Sequence, residues 1–76
     1  DNSLVFVEVR TKTSETFAPP EDSLTPTKRT RLIRTARAFV AAYNLHDRPV
    51  RFDLVAVVLP QKGKPVIRHY PNVFTP

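Results

Sequence analysis

The sequence has no cysteine and a single glycine, Gly63. Without cysteine, neither a disulfide nor a thiolate metal site can supplement the core. One glycine excludes a glycine-rich phosphate-binding loop. His46 and His69 are the only histidines, and their separation matches no familiar zinc-ligand spacing. No apolar run approaches the length of a membrane span, and no signal peptide opens the chain. The expectation is a soluble, cytoplasmic protein with no membrane partner. At 76 residues it is one small domain or a piece of one, held by a modest core.

What it has in excess is positive charge. Twelve Lys and Arg against seven Asp and Glu give +5, with an isoelectric point near 10.3. Phosphate neutralisation supplies most non-specific nucleic-acid affinity, so a polyanion such as DNA is a natural partner. Charge alone does not separate that role from simple solubility.

Residues 4–10, "LVFVEVR", are strand-forming residues with one carboxylate set among them. Alternate side chains point to opposite faces, so Leu4, Phe6, Glu8 and Arg10 share one face and Val5, Val7 and Val9 the other. Both faces are apolar up to Glu8, the pattern of an interior strand covered on two sides. A carboxylate buried there needs compensation. Arg10, roughly 7 Å along the same face by strand rise, is one candidate partner; a chemical role for the pair is the other explanation.

Residues 11–24, "TKTSETFAPPEDSL", read as a long loop. Thr25 before Pro26 suits a helix N-cap with proline at the first helical position. The helix is expected from Pro26 to about Asn44, with Pro49 barring continuation. Leu32, Ala36, Phe39, Val40 and Tyr43 form its apolar stripe; Arg31, Arg34 and Arg37 lie opposite, and Lys28 borders the stripe. "VRFDLVAVVL", residues 50–59, is a second strand apolar on both faces, interrupted by Asp53. A turn around Gly63 leads to a short final strand over residues 65–70, hairpin-paired with its predecessor. The two buried strands joined through the helix should be parallel neighbours. Phe6, Phe39, Phe52 and Tyr43 are the expected aromatic core.

"LVFVEVRTK", "FAPPED", "TPTKRTRL", "RPVRFDLVAV" and "IRHYPNVF" follow one another in an order that resembles the YraN-like family of small bacterial proteins. The resemblance implies an α/β restriction-endonuclease-like mixed sheet, related to that of Holliday junction resolvases. Here it is reduced to strand, helix, strand, strand, with an upstream helix and an acidic strand expected before residue 1. It implies a nuclease-like domain in which Mg²⁺ or Mn²⁺ supports phosphodiester hydrolysis of DNA, branched DNA among the candidates. By the same resemblance Glu8 is the metal ligand of a Glu-x-Lys pair, and Arg10 stands in the lysine position. A carboxylate holds the cation, and a cation two residues on stabilises phosphoryl charge. Arginine stays charged, so Arg10 suits charge stabilisation and not proton transfer.

Lys28 and Arg31 match the basic helix start of the family, as phosphate contacts or simply a solvated face; Lys12 is a further phosphate contact near the cleft. Asp53 is either a third site carboxylate or a structural acid holding Arg51, a helix N-terminus or a backbone amide; the second is preferred. His69 and Asn72 match the family's ending as structural hydrogen-bonding residues. Phe17, Pro20 and Glu21 match its loop, with Ala18 where glycine is usual; Asp1 is given no site role. With one metal-binding carboxylate missing, the chain is expected to be inactive by itself and to self-associate through an exposed sheet edge. The competing readings are a non-catalytic nucleic-acid-binding module of the same fold and a structural or interaction domain.

Overall fold

The computed structural model describes residues 2–13 and 24–75. Asp1 and the loop positions Phe17, Ala18, Pro20 and Glu21 lie outside the described residues. The chain runs β1 (Leu4–Lys12), α1 (Pro26–Ala42), β2 (Val50–Val58) and β3 (Val66–Phe74). The three strands form one mixed sheet in the order β1-β2-β3, the strand-helix-strand-strand α/β arrangement that the sequence predicts. β1 and β2 are parallel, from Leu4 opposite Val50 to Lys12 opposite Val58, and β3 returns antiparallel to β2.

Local chemistry sets the helix ends. Thr25 is the N-cap, its Oγ1 accepting from the Lys28 amide at 3.3 Å, and Pro26 follows where a missing N–H costs nothing. Arg29 ties this end down: its Nε donates to the Leu24 carbonyl at 2.8 Å and its guanidinium lies over the Phe74 ring. The helix stops at Ala42, two residues before the expected end. Asn44 takes a left-handed φ of 54°, and the Leu45 and Asn44 amides bond back to Val40 and Ala41. That Schellman-type turn ends the helix, well before Pro49.

α1 packs on the face carrying Phe6, Phe52 and Phe74. Phe6 meets Phe39 edge-on at 5.7 Å, and Phe52 stacks on Phe74 at 4.6 Å. Phe52, Leu54, Ala56 and Val58 of central β2 are buried with Leu24 and Ala36. Tyr43 is 65 % exposed and Phe39 41 % exposed, so the expected aromatic core is centred on Phe52, with Tyr43 outside it.

The expectation that β1 is covered on both sides does not hold. Val5, Val7 and Val9 are 41, 49 and 58 % exposed, because the one described helix covers only the opposite face. Among the described residues no strand pairs with the outer edge of β1, in keeping with the exposed edge anticipated there. β3 is also longer than expected. Leu54 pairs with Tyr70 but Phe52 with Phe74, so β3 carries extra residues at Pro71–Val73, and Asn72 adopts a left-handed φ of 53°. A proline cannot donate to the ladder, and a bulge accommodates it.

Candidate functional site

Glu8 and Arg10 point from β1 toward α1, and the first turns of the helix bring Lys28 and Arg31 to meet them. Together with Leu32 and Thr35 these side chains line a groove of about 230 Å³. Four of the five site residues singled out from sequence are thus neighbours. Lys12 shares their face of β1 but lies beyond the groove lining. Sequence reasoning places Leu32 in the apolar stripe of the helix, not in a site, and gives Thr35 no role. The signal was helical spacing, since Thr35 stands one turn after Arg31 and its hydroxyl donates to the Arg31 carbonyl at 3.0 Å.

Glu8 is half-buried, yet among the described residues it forms no hydrogen bond or ion pair. The intrastrand pair with Arg10 is therefore not formed. Spacing is not the obstacle. On β2 the same two-residue spacing joins Arg51 to Asp53 through Nε–Oδ1 at 2.8 Å and Nη2–Oδ2 at 3.0 Å. Glu8 is an open carboxylate in a groove whose other charged residues are Arg10, Lys28 and Arg31. The first turn of α1 holds no acidic residue, so no carboxylate there offsets the positive helix end beside Lys28.

Asp53 lies elsewhere. The register sets it opposite Val7, while Glu8 faces Leu54, so the two carboxylates are on opposite faces of the sheet. A third groove carboxylate is ruled out for Asp53. Its structural alternative is what the geometry contains. Oδ1 accepts from Arg51 and from the Asn72 amide at 3.0 Å; Oδ2 accepts from Arg51 and from His69 Nε2 at 2.7 Å. Asp53 is only 2 % exposed. Burial works to raise its pKa, but the hydrogen bonds from Arg51, the Asn72 amide and His69, with the Arg51 charge, lower it from 3.8 to about 2. Asn72 acts through its backbone, made available by the bulge, and His69 through its ring.

The groove therefore contributes one carboxylate, Glu8. Among the described residues there is no cluster of three or more His, Cys, Asp or Glu able to hold a metal ion. Divalent cations take several oxygen ligands, and these residues do not provide them unaided. The groove lining carries three cations, Arg10, Lys28 and Arg31, and one carboxylate, Glu8, that is unengaged among the described residues. No helix among the described residues is long and apolar enough to cross a membrane.

A UPF0102 protein of Pelobacter propionicus is 36 % identical over 74 residues, covering 97 % of this chain and 53 % of its own length. One from Nitratidesulfovibrio vulgaris is 50 % identical over 62 residues, covering 82 % of this chain and 45 % of its own. Another, from Geotalea uraniireducens, is 38 % identical over 72 residues, covering 95 % and 57 %. The chain thus spans about half the length of the curated relatives it matches. Residues 2–57, from before β1 through most of β2, match the model of the uncharacterised protein family UPF0102, and the chain belongs to that YraN-like family.

Proposed function

We propose that this chain supplies the phosphate-binding part of a nuclease-like site that acts on DNA with a divalent cation, Mg²⁺ or Mn²⁺. The observation that carries the reading is Glu8: half-buried, without a partner among the described residues, in a groove lined by Arg10, Lys28 and Arg31. Its oxygens reach solvent and no protein partner among the described residues engages them, so they are available to a bound cation. Arg10, Lys28 and Arg31 hold phosphate oxygens, and Lys12 extends the contact along β1. Because one carboxylate does not hold the cation, no hydrolytic step is written for these residues. Cutting belongs to a longer polypeptide that adds further acidic ligands.

The second reading is a DNA-binding module without catalysis. Arg10 favours it, since a guanidinium cannot shuttle protons, and so does the solitary carboxylate. Binding and cleavage measured side by side separate the two. The 76-residue chain should bind labelled duplex and four-way DNA with an affinity that falls steeply with salt. Replacing Arg10, Lys28 or Arg31 by Gln should lower the slope of log K against log salt by about one each. Without divalent ions, Glu8→Gln should tighten binding about threefold by removing a charge that repels phosphate. A longer form of the protein should cleave these substrates with Mn²⁺ or Mg²⁺ and lose cleavage in Glu8→Gln. Retained binding with no cleavage by that longer form would select the second reading, and binding flat with salt would defeat both.

A further inference from the structure

The other flank of α1 presents a different surface. Ile33 and Val40 of the helix, with Val50 and the ring of Phe52 from β2, floor a cleft of about 430 Å³. Arg37 and Arg48 stand at its rim, with His46 beside them in the connection after the helix. This is not the Glu8 groove, whose helix residues Lys28, Arg31, Leu32 and Thr35 lie on the opposite flank.

Three features define what fits. The floor is hydrocarbon, so it rewards an apolar body and offers no partner to the edges of a nucleobase. The rim is cationic: among the described residues neither Arg37 nor Arg48 has a carboxylate within ion-pair distance. Ile33 to Val40 spans about 10 Å of helix at 1.5 Å per residue, enough for one or two fused rings but not for a macromolecular surface. The volume falls in the range of small-molecule sites, roughly 300–1,000 Å³.

We propose that this cleft binds a small organic anion with an apolar body, an aromatic or branched carboxylate or sulfonate, its charge held by Arg37 and Arg48. The guanidinium forks suit planar oxyanions, and the body replaces water over the partly exposed Ile33, Val40 and Val50. This site is independent of the proposed nuclease-like groove, and neither reading depends on the other.

The probe is 8-anilinonaphthalene-1-sulfonate, titrated by fluorescence and by methyl-resolved NMR. We expect saturable one-to-one binding, with shifts centred on Ile33, Val40 and Val50. Arg37→Gln with Arg48→Gln should weaken it at least about tenfold, the loss of one charge-assisted bond or more. The uncharged analogue N-phenyl-1-naphthylamine should bind more weakly and be indifferent to those substitutions. Both arginines are solvent-exposed, so the fold should survive, and unchanged circular dichroism checks it. The proposal is overturned if the double variant binds the sulfonate unchanged. It is equally overturned if the wild-type shifts fall only on Val5, Val7 and Val9 of the uncovered sheet face.

Discussion

The same spacing of arginine and acid occurs twice in this small sheet, with opposite outcomes. Arg51 and Asp53 close on each other, while Arg10 and Glu8 do not. What differs is the company. Asp53 also receives the Asn72 amide and the His69 ring, so its charge is fully satisfied in a place where water is excluded. Asp53→Asn should cost about 2 kcal/mol at pH 7, measured by urea unfolding, because the bonds from Arg51, His69 and the Asn72 amide lose their anionic acceptor. The pH dependence has a definite sign. A carboxylate lowered from 3.8 to about 2 stabilises the fold above pH 4, and the benefit disappears as pH falls through 2. The gap between wild type and Asp53→Asn should shrink by about 2 kcal/mol across that window. Arg51 and a backbone amide are expected partners of Asp53, and His69 and Asn72 are expected hydrogen-bonding residues. Their convergence on Asp53 is not legible, since they reach it through a β3 bulge whose only sequence mark is Pro71.

Among the elements, α1 was legible at its start and misjudged at its end. Thr25–Pro26 announces a first turn by side-chain chemistry, but the last turn depends on Asn44 taking a left-handed backbone, which apolar periodicity does not report. Thr25→Ala should therefore cost about 1 kcal/mol. Asn44→Gly should stabilise by about 0.5 kcal/mol, because glycine adopts that conformation without a Cβ penalty. Thermal melts of the two variants should move in opposite directions. The groove inherits its legibility from these elements. Glu8 and Arg10 follow from strand alternation, and Lys28 and Arg31 from a correctly placed helix start. Which flank of α1 each residue lines was set by how the helix lies on the sheet, and so Arg31 and Arg37, expected on one solvent face, line different clefts.

For the molecule as a whole, the one helix among the described residues covers one side of the three strands and leaves apolar side chains of the other side exposed. Val5, Val7 and Val9 share that side with Ile67, which is 69 % exposed, and the outer edge of β1 carries no partner among the described residues. Apolar exposure beside an open edge favours pairing with another chain. Sedimentation at about 100 μM should show mass above one 8.7 kDa chain, and Val7→Lys should reduce it by placing a charge on that side. A single monomeric species in wild type would refute this.

The parallel pairing of β1 with β2 has a kinetic consequence. Its contacts join Leu4 to Val50 and Lys12 to Val58 across most of the chain, whereas β3 folds back on β2 through a short turn. Closing the longer span costs more chain entropy, so the hairpin should assemble early and β1 should dock last. The same asymmetry should govern opening of the native state, with β1 amides exchanging with solvent faster than those of β2 and β3. A DNA duplex that bridges β1 and α1 should slow exchange in β1 most of all. The strand that carries Glu8 is then the last to arrive and the first to leave, and the groove exists only while the chain's longest-range pairing is closed.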